Sequence, residues 1–153
     1  MAIFDAAIIL DISVGERGSA LVEFGIASTI VLTLIFGIVD FGRALYTYHL
    51  VSNAARLGSR YAIVHGSDCT ATDCPADATA IQTFVRTQAP GIDPNALTVT
   101  TTWSNTAGCR GAPFTSAGCL VAVQVSYPFT FLVPLLPSFT LAMNSTSQMI
   151  ISQ

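Results

Sequence analysis

The chain has 153 residues, 52% of them hydrophobic and only 10% charged, against roughly 25% charged in an ordinary soluble domain. Six arginines, no lysine and nine acids leave a formal net charge of -3 with no basic patch and no acidic tail. The electrostatic footprint of nucleic-acid binding is missing, so no nucleic-acid partner is expected. The balance points instead to a chain that lives in a membrane or a protein assembly.

Residues 1–18 form a short mixed segment carrying Asp5, Asp11, Glu16 and Arg17 and ending in Gly15 and Gly18. Residues 20–39 follow as an apolar run whose only charge is Glu23. As a helix rising ~1.5 Å per residue, this run is ~30 Å long, the thickness of a bilayer core. It exceeds the apolar stretch of about 7–15 residues in a secretory signal peptide. The remainder of the chain is too small to wrap it on all sides. A membrane span over 20–39 is therefore expected, with membrane lipid as its first partner. Asp40 and Arg43 end the run at an i,i+3 spacing that lets them pair on one helix face at the interface.

Residues 41–64 hold no proline, so the helix is expected to continue to about residue 64, for a total of ~65 Å at the same rise. Apolar or small residues recur at Phe41, Ala44, Leu45, Tyr48, Val51, Ala55 and Ala62, close to the helical period, while Arg43, His49, Asn53, Arg56 and Arg60 mostly fall off the stripe. The second half of the helix is thus amphipathic and suited to lie on a folded head, with Tyr48 and Tyr61 packed into it. Gly37 and Gly42 are open to two readings: close helix–helix approach, or simple tolerance within a membrane helix.

Residues 65–75 read as loop. Residues 77–89 read as a short amphipathic helix with Ala80, Ile81, Phe84 and Val85 inward, stopped by Pro90-Gly91. Residues 96–103 alternate and are rich in β-branched side chains, predicting a strand that ends on Trp103. A long connection over 104–118 follows, then a second alternating strand over 119–131, a turn at Pro134 and Pro137, and a last strand over 140–151. The expected fold class is α+β: a long N-terminal helix, membrane-spanning in its first half, packed on a small antiparallel sheet with one short helix. Three strands alone make a marginal core, so the amphipathic half of the long helix has to supply the missing layer.

Cys69, Cys74, Cys109 and Cys119 all lie outside the apolar run, in two local pairs among turn-forming residues. Four cysteines allow three connectivities. Disulfides are the leading reading and 69–74 with 109–119 the expected pattern. Free thiols and a metal site are the alternatives, although zinc would call for C-x2-C knuckles or nearby histidines, and only His65 is close. Disulfides imply an oxidising compartment, which puts the cysteine-bearing head outside the cytoplasm. The flanking charges say little about orientation, since Arg17 is the one basic residue before the run. No G-x-S-x-G, H-E-x-x-H, P-loop or plausible carboxylate pair occurs. Neither enzymatic activity nor a cofactor is expected.

Glu23 needs a reason, because a leucine would insert more easily. Cleavage after Gly18 would make Ser19 a free N-terminal amine and Glu23 mature position five, one turn along. An ammonium and a carboxylate would then share the end of an otherwise apolar helix. Each would find its partner if neighbouring helices packed in one register.

R-G-S-A-L-V-E-F at 17–24 resembles the processing site of type IV pilin-like proteins. More narrowly, this block together with F-G-I-V-D-F-G-R-A-L-Y at 36–46 and N-A-A-R-L-G-S-R-Y-A at 53–62 resembles the TadE-like proteins of tight-adherence (Flp-type) pilus systems. V-Q-V-S-Y-P-F at 123–129 and T-L-A-M-N-S-T-S-Q-M at 140–149 fit more loosely. The resemblance implies a minor pilin or pseudopilin with residues 1–18 as leader, 19–64 as the long helix and 65–153 as a periplasmic or extracellular head. It implies cleavage by a prepilin peptidase between Gly18 and Ser19, and a role for Glu23, beside Phe24, in recognition or subunit register. The implied partners are the prepilin peptidase, other pilin or pseudopilin subunits and the inner-membrane assembly machinery. The alternatives are an uncleaved single-pass scaffold of the pilus secretion complex, and an exported binding domain with residues 1–44 as its signal.

Overall fold

The computed structural model describes residues 3–70, 72, 74–109, 115–132 and 139–152, with side chains from Gly18 onward. Helix α1 spans Ile3–Val64, 62 residues. The first proline of the chain is Pro75, so nothing before it blocks the backbone ladder. The helix therefore begins well ahead of the apolar run and passes through Gly15 and Gly18, each of which costs only about 1 kcal/mol in a helix interior. The expected turn at Pro134 and Pro137 lies outside the described residues.

The chain divides into two units, and the division falls within α1. The first comprises Met1–Phe41 with Leu132–Leu135, the second Gly42–Phe131 with Leu136–Gln153. In the first, the helix is uncovered: Leu21, Val22, Phe24, Ile26, Ile30, Leu34, Phe36 and Ile38 are all exposed.

In the second unit the same helix has one buried face. Thr47, Val51, Ala54, Ala55, Gly58, Ser59 and Ala62 are buried, at helical spacing. This differs from the expected stripe. Leu45 and Tyr48 remain exposed, at 46% and 52%, so the expectation that Tyr48 packs into the head does not hold. Size explains the difference. A Cβ placed on Gly58 would stand 2.7 Å from Val85 Cγ2 and 3.0 Å from Val123 Cγ1. The face against the head is crowded enough to require small residues, and bulky apolar ones are turned away from it.

Helix α2 spans Ala78–Thr87. Asp77 caps it, its carboxylate accepting the Ala80 N–H at 2.7 Å, which satisfies one of the orphan donors of the first turn. Ile81 and Val85 are buried, and Phe84 stacks on Tyr61 with ring centroids 4.4 Å apart.

Strands β1 (Thr98–Ser104), β2 (Leu120–Thr130) and β3 (Thr140–Ile150) form one antiparallel sheet in the order β1-β2-β3. Thr101 faces Val123, and Val123 faces Ser147. Val121, Val123 and Val125 are wholly buried on the inner face of the central strand. β3 meets the helix through a polar contact instead, with Ser59 Oγ and Ser147 Oγ 2.8 Å apart and Ser59 also donating to the Arg56 carbonyl. Pro128 interrupts no ladder between strands β1 and β2, because their pairing stops at Ser126; beyond it that side of β2 is an edge, where proline is tolerated.

The disulfides join Cys69 to Cys74 and Cys109 to Cys119, the two local pairs. Cys119 is wholly buried at the entrance to β2, so its bond ties the β1–β2 connection to the core. Loop-closure entropy makes each disulfide worth about 2–3 kcal/mol. Gly118 holds φ +87°, and a Cβ there would meet the Gly108 backbone oxygen at 2.2 Å. Only glycine fits that turn.

Candidate functional site

The first half of α1 behaves as a segment made for a non-aqueous solvent. No part of its most apolar window is buried in the protein, and the helix is long and apolar enough to cross a membrane. Three hydroxyl groups within it are already satisfied. Ser28 Oγ donates to the Gly25 carbonyl at 3.0 Å, Thr29 Oγ1 to the same carbonyl at 2.8 Å, and Thr33 Oγ1 to the Thr29 carbonyl at 2.8 Å. Lipid can offer these groups nothing, so internal bonding removes the cost of inserting them.

Gly18, Ser19, Glu23 and Phe24 sit at the N-terminal end of this segment, all helical and all exposed. Phe24 is 72% exposed. A Cβ at Gly18 would meet nothing within 4 Å, so the fold itself does not require glycine there. Ser19 and Glu23 are four residues apart on one helical face, separated by ~6 Å along the axis. The arrangement offers an accessible backbone at Gly18–Ser19 and a carboxylate one turn away.

At the other end of the segment Asp40 is buried, at 3% exposure. Its Oδ2 accepts the backbone N–H of Leu132 at 2.8 Å. Arg43 lies over the Phe129 ring, 5.3 Å from the centroid, and its carbonyl accepts from Thr47 Oγ1 at 2.9 Å. The i,i+3 spacing pointed to these two side chains but not to Leu132 or Phe129. Those contacts come from a segment about ninety residues downstream, and no local pattern announces them. Phe129 in turn meets Phe131 edge-on at 5.2 Å, and Phe131 stacks with Phe139 at 6.1 Å.

The cysteines are occupied by their disulfides, with none free. Among the described residues no group of three or more His, Cys, Asp and Glu side chains is placed to hold a metal ion. His65 stacks on Tyr61 at 4.0 Å and its Nδ1 lies 2.9 Å from the Tyr61 carbonyl. Arg56 and Arg60 are exposed on the face of α1 away from the sheet.

The family comparison matches the part of α1 that runs from Gly18 through the exposed apolar run to the face of small buried residues. Residues 18–60 are similar to one known family. They match the family model described as TadE-like protein, over less than a third of the chain. No curated protein and no solved structure matches the chain. The TadE-like stretch takes in Gly18, Ser19, Glu23, Phe24, Asp40 and Arg43, together with the crowded position Gly58, which periodicity did not single out. A glycine facing inward on an amphipathic helix was the one available signal for it. The disulfide-bonded head lies largely outside the matched residues.

Proposed function

We propose that this chain is a minor pilin or pseudopilin of a tight-adherence (Flp-type) pilus. It is inserted in the bacterial inner membrane by residues 20–39, with its head in the periplasm, and contributes to pilus assembly and surface attachment without catalysis of its own. A prepilin peptidase cleaves it between Gly18 and Ser19, and the processed subunit is passed to other pilin or pseudopilin subunits by the assembly machinery. The observation that carries this reading is the TadE-like stretch opening at Gly18 on an apolar helix that the protein leaves uncovered.

Physical chemistry supports the role of the glutamate. In the intact helix Glu23 is an interior residue. After cleavage it lies one turn from the start of a new helix, near the positive end of the helix dipole and on the same face as the new amine. Cleavage also needs a locally extended backbone at the scissile bond. Gly15 and Gly18 ease that opening, since each weakens the helix by about 1 kcal/mol relative to alanine. N-terminal mass determination of protein from cells with and without the prepilin peptidase tests the reading. Loss of residues 1–18 only when the peptidase is present is expected; an intact Met1 in both refutes processing.

One observation favours the second reading, an uncleaved scaffold of the pilus secretion complex. Helix α1 runs unbroken from Ile3 across the Gly18–Ser19 bond. On that reading Gly18→Leu leaves both mass and pilus output unchanged.

A further inference from the structure

The sheet carries no charge. β1 has no charged side chain, and none occurs in the sequence after Arg110, so β2 and β3 have none either. Edge strands are ordinarily guarded by charge, proline, a bulge or brevity, because their unpaired backbone groups invite another strand. β3 is 11 residues long, holds no proline and pairs with β2 without interruption. β1 has only its shorter length of 7 residues.

Alternation along an antiparallel ladder fixes which backbone groups face out. Ile151 donates its N–H to the Cys119 carbonyl and accepts the Gly118 N–H, each at 2.9 Å, so its backbone points toward β2. Every second residue before it points the same way. The N–H and C=O groups of Thr140, Ala142, Asn144, Thr146, Gln148 and Ile150 therefore point off the sheet. Ser152, next in that series, donates its N–H away from β2 to the Ile63 carbonyl. On β2 the even-numbered residues are left for β1, and Val99, Thr101 and Trp103 present the open edge of β1. Among the described residues no hydrogen bond between backbones reaches either open edge. Beside β3 a groove of about 470 Å³ lies between the strand and α1, lined by Leu45, Tyr48, Leu141 and Met143 among others. The apolar surface at Leu45 and Tyr48 stays uncovered there, where one more strand would lie alongside it.

We infer that β3 pairs with β1 of a second copy of this chain, so that one sheet runs from molecule to molecule. Charge admits this occupant, since no pair across the junction sets like charges face to face. Direction admits it as well. β1 and β3 are each antiparallel to β2 and so parallel to one another, and a copy displaced sideways without reversal brings its β1 to β3. Pairing β3 with β3 would leave both β1 edges open. The head-to-tail contact leaves open edges only at the two ends of a row, and it can repeat. Its overlap of ~23 Å, the length of β1, makes each junction weak and the assembly dependent on concentration. The inference rests neither on cleavage at Gly18 nor on the pilus reading.

The test uses the full chain in detergent micelles, with cysteines on the exposed face of the sheet. Thr100→Cys is combined in one chain with Asn144→Cys, Thr146→Cys or Gln148→Cys, which covers the registers around level pairing. Within one molecule β2 separates these positions by ~10 Å, beyond the roughly 7 Å that a disulfide spans. Mild oxidation of at least one double variant is expected to give a ladder of dimers, trimers and longer species on non-reducing gels, while the single variants stay uncross-linked. Adding Gln148→Pro, or Thr146→Pro where position 148 carries the cysteine, removes an outward N–H and spares the β2 ladder. It is expected to cut the ladder at least about tenfold with the melting temperature of the head retained. No ladder from any double variant, or a ladder undiminished by the proline, overturns the inference. Dimers from single cysteines on β3 show β3 meeting β3 and overturn it too. An uncleaved Met1 refutes processing and leaves this result as it stands, so the two failures are distinguishable.

Discussion

The backbone N–H of Leu132 donates to the buried carboxylate of Asp40 across 2.8 Å of space and 92 positions of sequence. Leu132 itself is 66% exposed, so the bond secures the backbone of the β2–β3 connection while its side chain stays uncovered. A charge-assisted bond of this kind is worth about 1.5–3 kcal/mol locally. Asp40→Ala is expected to speed amide hydrogen exchange at Leu132 by at least tenfold, read by peptide-level mass spectrometry, while the β2–β3 ladder from Leu120 to Ser126 stays protected. Unchanged exchange at Leu132 would show that other contacts hold the connection.

Gly58 and Gly42 make a matched pair for testing the crowding of the helix face. Gly58→Val drives methyl groups into Val85 and Val123, and overpacking of that sort costs about 1–3 kcal/mol. Gly42→Ala places its Cβ in open space and is expected to be neutral or to gain up to about 1 kcal/mol from helix propensity. Urea midpoints of the detergent-solubilised protein separate the two. Equal midpoints would mean that the head does not press on the helix at Gly58.

The two disulfides predict different losses on removal. Opening Cys109–Cys119, which joins the β1–β2 connection to a wholly buried sulfur, is expected to lower stability by about 2–3 kcal/mol in the double serine variant. Opening Cys69–Cys74, a shorter loop among exposed neighbours, is expected to cost no more than about 2 kcal/mol. Non-reducing peptide mapping should return 69–74 and 109–119, and any crossed peptide would redraw the head.

Glu23→Gln separates recognition from register. If the carboxylate meets the amine of a neighbouring Ser19, the variant is expected to be cleaved at a normal rate and to enter pili poorly, measured as the ratio of processed protein in sheared fibres to that in membranes. Normal incorporation with glutamine would remove the charge pair from the account.

The parts of this protein that were legible from the chain alone are those set by local chemistry. Twenty nearly uncharged residues have one length and one preferred solvent. Asp77 ahead of an amphipathic stretch caps a helix, and alternation through Val121, Val123 and Val125 makes a strand with one buried face. Gln88 closes α2 two residues before the expected stop at Pro90-Gly91, a matter of where the last backbone bond forms. The long helix proved longer than expected because two glycines are weak breakers without a proline.

What only the tertiary structure decided is which side chains face each other across the fold. Hydrophobic period nominated Leu45 and Tyr48 for the inward stripe along with Val51, Ala55 and Ala62; the head buries the last three and adds Ala54, Gly58 and Ser59 in place of the first two, because closeness of approach outweighs hydrophobicity where helix and sheet meet. The partners of Asp40 and Arg43 were hidden for a related reason. A backbone N–H and an aromatic ring some ninety residues away leave no periodic mark, and they reach those side chains only once the sheet has turned back toward the helix.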